Sequence, residues 1–342
     1  IINTLRFVLV FIPLYYNATL QIFFTYQLIV AFLELVLVMS KSSQLLPSKS
    51  DEQVVSSGYL NSVVRFSVTI ALTSAIWVFI TQVDKLLLSK MLLLSEYGYF
   101  SLAVQLAGGL LLISGPISTA IIPRMTKLEA ENKSVDVLHI YRTATQIIVV
   151  VVGSIGMLLV GFNKLVLYVW SNNLEMVAQS SDYLWYYAFG YFLLALSAFP
   201  YYLQYAKGDL TYHVAGNIIF VMLLVPSIYF GVKTYGGIGA AYSWLAVNIF
   251  YFSIWVPIIH HKFYPTLNRK WFLFDIGKPT ISMLVVLVLA RFILSDTNSR
   301  ILGFVWIGVV FSALLLAGLF STTYLRKFVI IKAKSIIARV RL

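Results

Sequence analysis

The 342-residue chain is 60% hydrophobic and only 11% charged, with a mean hydropathy of +0.87. Soluble domains carry about 25% charged residues, so the composition excludes a soluble globular fold and leaves a polytopic membrane protein. The net charge of +12 would call for a nucleic-acid partner only if loop topology failed to account for it, and a chain without cysteine has neither a disulfide framework nor a thiolate metal site.

The sequence opens on Ile1 with no signal-peptide pattern, so a preceding segment is expected to be missing. Residues 1–40 carry only Arg6 and Glu34 as charges, a run too long for one spanning helix and suited to two. Pro13 lies in the first, and Tyr15, Tyr16 and Asn17 suggest a turn near residue 17. Residues 41–62, KSSQLLPSKSDEQVVSSGYLNS, form the longest polar connection and read as a cytoplasmic linker between two bundles. Then comes the stretch around which the chain is organised, Val63 to Lys127. Eighteen uncharged residues separate Arg65 from Asp84, enough helix to span the roughly 30 Å hydrocarbon layer. After a turn with Lys85, Lys90 and Glu96 the chain is again uncharged up to Arg124, which predicts a transmembrane hairpin.

Polar residues 124–142 have a helix-forming composition. Apolar segments follow at 143–163, 183–205, 212–232, 238–259, 276–294 and 301–321, for about ten spans in an all-α transmembrane helix bundle. With both ends on the cytoplasmic side, 19 of the 25 Lys and Arg residues fall on that side. This positive-inside bias fixes the orientation and explains the basic charge without nucleic acid. The tail 322–342 reads as a basic interfacial helix drawn to anionic membrane lipids. No outer loop exceeds about twenty residues, too short for a catalytic domain, so no enzyme activity is expected.

Polar groups inside the bilayer are the candidate sites. Ser67, Ser74, Trp77, Thr81 and Asp84 share one stripe of a helix, which should face other helices or water. Asp84 with Lys85 could attract a charged substrate or carry a coupling ion, or simply anchor the helix end by snorkelling. Gln105 is deep enough to bond a substrate, although buried amides more often join helices. Glu34 lies about 8 Å inside the boundary and is either a coupling group or a paired, snorkelled residue. Tyr187, Tyr191 and Tyr201 sit at depths where sugar rings could stack, whereas Tyr183, Trp185, Tyr202 and Tyr205 read as an interfacial belt. Asn217 and Asn248 read as packing amides. The histidines His139, His213, His260 and His261 make no metal spacing, and no nucleotide-phosphate loop is present.

The hairpin TQVDKLLLSKMLLLSEYGYFSLAVQLAGGLLLISGPISTAIIPRMTKL resembles the signature region of bacterial oligosaccharide flippases. These are the O-antigen and polysaccharide transporters of the multidrug/oligosaccharidyl-lipid/polysaccharide exporter superfamily. Its D-K-L-x-L-S-K and G-Y-x-S-L-A elements carry the likeness, with further similarity in residues 3–47 and in YYLQYAKGD. The resemblance implies two six-helix lobes around a cavity, often with two extra helices, a transporter of about twelve to fourteen helices. Residues 1–40 would then end an incomplete first lobe, 63–259 would form the second, and 260–321 would hold two additional helices. It further implies alternating-access transfer of an undecaprenyl-diphosphate-linked oligosaccharide across the bacterial inner membrane for lipopolysaccharide or other surface polysaccharide. Arg65, Arg124 and Arg142 would be cytoplasmic-side contacts for the diphosphate, although positive-inside topology also explains each. Polysaccharide assembly proteins would be partners. No cofactor is expected, and proton or sodium coupling is compatible with the superfamily. A cation-coupled drug exporter of the same superfamily is the alternative within transport. A membrane polysaccharide polymerase is the alternative among enzymes, but no catalytic motif on a sizeable loop supports it.

Overall fold

The computed structural model describes residues 2–16, 19–45, 57–294 and 299–327. Among them every regular element is helical, as hydrocarbon requires of an open chain, because only a helix satisfies its backbone within one segment. The chain divides into two compact units, Ile1–Arg65 and Phe66–Leu342.

In the first unit, α1 (Ile2–Phe7) and α2 (Phe11–Tyr16) pack against α3 (Leu20–Leu45). The expected first span is thus broken. Pro13 cannot donate to the carbonyl four residues earlier, and residues 8–10 form a turn in which the amides of Val8 and Leu9 share the Thr4 carbonyl. The first of the two short helices is held by side chains of α3: the Tyr26 hydroxyl donates to the Leu5 carbonyl at 2.7 Å and the Gln27 amide to the Arg6 carbonyl at 3.1 Å.

Then come α4 (Ser57–Met91), α5 (Leu94–Ala130), α6 (Ser134–Gly161), α7 (Asn163–Ser171), α8 (Leu174–Ser197), α9 (Phe199–Ala206), α10 (Thr211–Tyr235) and α11 (Gly237–Phe250). They are followed by α12 (Val256–Phe263), α13 (Leu267–Lys270), α14 (Lys278–Ile293) and α15 (Arg300–Ser321). The polar linker is shorter than its composition suggests, since α3 continues to Leu45 and α4 begins at Ser57; residues 46–56 lie outside the described residues. The same holds for the polar segment after residue 124, where α5 and α6 meet across a turn at 131–133 with Asn132 left-handed at φ 56°. The basic tail beyond 327 also lies outside the described residues.

Eight helices among the described residues are long and apolar enough to cross a membrane. The broken α1–α2 pair and α8 account for the difference from ten. Asp182, Tyr183, Trp185, Tyr186, Tyr187 and Tyr191 make α8 too polar to stand against lipid, and the structure gives the reason. This helix is the centre of the second unit, packed on α5, α6, α7 and α11, so its tyrosines meet protein. Asn173 caps it, its side-chain oxygen accepting the Met176 amide at 3.1 Å. Gly190 lets the Trp244 indole lie on the helix backbone, where a Cβ would come within 2.4 Å of the ring nitrogen.

Two π-helical turns, Tyr251–Trp255 and Trp271–Gly277, interrupt the last long helices, and each is followed, after one intervening residue, by a proline, Pro257 or Pro279. A proline has no amide to continue the ladder, and the wider turn accommodates the missing bond. Helices α14 and α15 pack on each other and on α6.

Candidate functional site

A cavity of about 380 Å³ lies within the second unit among α4, α5, α8, α9 and α10, with Tyr251 on its wall. Its size suits a small ligand group. From α4 it takes Thr73, Ser74 and Trp77, from α5 Ser118 and Ile122, from α9 Tyr201 and Tyr202, and from α10 His213, Asn217 and Phe220. His213 is two residues into α10 and Tyr202 four residues from the end of α9, so the cavity lies toward the end of the bundle that carries Lys207.

None of the lining residues is Asp, Glu, Lys or Arg. Several hydroxyls serve their own helix: Thr73 and Ser74 both donate to the Ile70 carbonyl, and Ser197 donates to Leu193. Ser118 bonds the Tyr202 hydroxyl across the cavity floor. The Tyr201 ring lies 4.4 Å from the His213 imidazole, whose Nε2 is 3.2 Å from the Asn217 amide. The wall therefore offers aromatic faces edged by hydroxyl, amide and imidazole groups. Such a surface suits a neutral ligand with an apolar face and hydrogen-bonding edges better than an isolated ion.

The stripe expected on α4 divides. Ser74 and Trp77 reach the cavity, Ser67 is exposed, and the Thr81 hydroxyl is bonded to the Trp77 and Val78 carbonyls. Asp84 is neither at a surface nor beside the cavity. It is fully buried, because α4 continues past it to Met91 and turns Ile80, Val83 and Leu88 into the same core. Lys85 does not pair with it but turns its ammonium to Gln82 at 3.1 Å.

Other expected contacts are also placed differently. Arg142 is engaged inside the protein: its Nε and Nη2 bond the two Asp275 oxygens at 2.6 and 3.1 Å, and its Nη1 bonds the Tyr324 hydroxyl at 3.0 Å. Gln146 completes this network, donating to Asp275 at 2.7 Å and accepting the Tyr324 amide at 3.0 Å. A guanidinium so occupied has little to offer a diphosphate. Tyr187 and Tyr191 are core residues, the first stacked on Trp244 at 5.4 Å and the second 4.9 Å from the same ring, so neither meets a sugar in this arrangement. Gln105 is exposed on α5, away from the cavity. Tyr202, expected at the interface, is buried at the cavity wall, and Asn217 lines the cavity while Asn248 bonds the Trp244 carbonyl at 2.8 Å.

Glu34 pairs with Arg6 at 2.6 Å in the first unit. Arg124 is exposed near the C-terminal end of α5, and the Arg65 side chain lies outside the described residues. His213 and Ser118 were the residues least visible in sequence, since neither carries a motif and only the helix packing turns them to one space. Tyr264 is outside the spans, and its hydroxyl donates to Glu129 at 2.9 Å while Lys207 holds the other Glu129 oxygen. Burial and that bond push the Tyr264 phenol above its ordinary range.

Fold and cavity together define a multi-pass, all-α membrane protein whose second unit encloses an uncharged, aromatic-walled space. No family model matches the chain, and no curated protein or solved structure matches it.

Proposed function

We propose that the protein is a flippase that moves an undecaprenyl-diphosphate-linked oligosaccharide across the bacterial inner membrane by alternating access, with both ends of the chain on the cytoplasmic side. The observation that supports this reading most is the cavity, because its aromatic faces and hydroxyl edges complement a sugar ring. Its lack of charged walls speaks for the glycan rather than the diphosphate as its occupant, and the diphosphate would stay near the basic cytoplasmic rim, where Arg124 is exposed. An acidic wall, which a drug exporter for hydrophobic cations would call for, is not what lines it.

The experiment is complementation of a flippase-null strain with the complete gene, measuring lipid-linked repeat units in each leaflet. Expression should empty the inner leaflet of the accumulated intermediate. Trp77→Ala and Tyr201→Ala should each slow transfer about twofold to tenfold, the equivalent of one aromatic contact, whereas Gln105→Ala should leave it unchanged. Persistent accumulation with the unaltered gene, or a change in drug sensitivity alone, would refute the reading.

A further inference from the structure

Among the described residues, Asp84 is a fully buried carboxyl with an unbonded oxygen. It is completely buried, its Oδ1 accepts the Lys85 amide at 2.7 Å, and its Oδ2 has no hydrogen-bond partner among the described residues. Across from it stands the Tyr187 hydroxyl, equally buried and equally without a bond of good geometry. Among the described residues, the charged and titratable groups that reach the site are Lys85 on its own helix and Tyr183, Tyr187 and Tyr191 on α8. Lys85 gives its ammonium to Gln82 instead. From α11 comes the Trp244 ring, stacked on Tyr187.

A carboxylate removed from water needs a cation or several donors, and one phenol and one amide fall short of that. The neutral acid does not, since its own O–H can turn to the Tyr187 oxygen. A metal ion fits poorly, because hard cations collect about six oxygen ligands and only two unbonded side-chain oxygens are on hand among the described residues, Asp84 Oδ2 and the Tyr187 hydroxyl. We propose that Asp84, with Tyr187 as its hydrogen-bond partner, is a proton-binding site that is occupied in this conformation.

The site is also placed to exchange. Helix α4 walls the cavity through Thr73, Ser74 and Trp77, and it forms none of the extended close backbone contacts that join α5, α6, α8, α10 and α11. A segment held mostly by side chains is the one that yields most readily. Its displacement would carry Asp84 from a dry site toward water, where the proton leaves as hydronium and a carboxylate remains.

Infrared difference spectroscopy of the protein in phosphatidylethanolamine/phosphatidylglycerol nanodiscs tests it. An Asp of ordinary pKa, about 3.9, would be protonated in only about one molecule in a thousand at pH 7. The expected result is a full-amplitude protonated-carboxyl C=O band at pH 7 that disappears in Asp84→Asn and shifts in frequency in Tyr187→Phe. No such band in the unaltered protein would overturn the proposal, as would its loss when choline chloride is replaced by sodium chloride. Should Asp84→Asn fail to accumulate, Tyr187→Phe decides: a shifted band upholds the assignment, and an unmoved one overturns it.

Discussion

Arg142 and Asp275 form the ion pair whose disruption the structure predicts most sharply. Asp275 is fully buried and accepts three bonds, two from the guanidinium and one from Gln146, while the Arg142 side chain is 18% exposed. In Asp275→Leu the guanidinium keeps only the Tyr324 hydroxyl at 3.0 Å and that ring, 5.2 Å from its centre. In Arg142→Met the carboxylate keeps only Gln146. Charged hydrogen bonds contribute about 1.5–3 kcal/mol each, and stranding one half of a buried pair typically costs about 3–5 kcal/mol. Each single variant should therefore lose about 3–5 kcal/mol. The double variant, which removes both charges, should recover most of that, giving a coupling of at least about 2 kcal/mol. Reversible unfolding in mixed dodecylmaltoside/dodecyl sulfate micelles measures all four corners of the cycle. Additive losses would refute the reasoning, and so would a stable Arg142→Met protein that failed only in the complementation assay for the proposed transfer, because that is the behaviour of a substrate contact rather than of a clamp.

Two further outcomes follow from the packing of α8. Gly190→Ala sets a methyl 2.4 Å from the Trp244 ring nitrogen, and since Trp244 is stacked on Tyr187 it has little room to retreat. A loss of about 1–3 kcal/mol is expected in the same micellar assay, with a change in tryptophan emission, and an unchanged midpoint would show that the ring moves freely. Asn173→Ala removes the cap on α8 and should cost about 1 kcal/mol, while Asn173→Ser should be nearly neutral; equal effects of the two would mean that the Met176 amide finds another partner.

Hydropathy alone determined the class of this protein, because transfer into hydrocarbon depends on the summed apolarity of about twenty consecutive residues, a local property of the chain. It was enough for the apolar part of Ser134–Gly161, though not for its polar first turns, for Arg300–Ser321, and for the turn between α4 and α5. It placed one segment at 183–205 where α8 ends at Ser197 and α9 follows, and it did not find the partner of Arg142, 133 positions away. The stripe from Ser67 to Asp84 was legible as a periodicity, but whether a polar face meets lipid, water or another helix depends on neighbours that periodicity does not specify. Only the tertiary structure decided that Trp77 meets a cavity while Asp84, two turns along, is sealed in the core. The physical reason is that one helix can change neighbours along its length, and the dielectric surroundings of a side chain are set by whichever neighbour it meets.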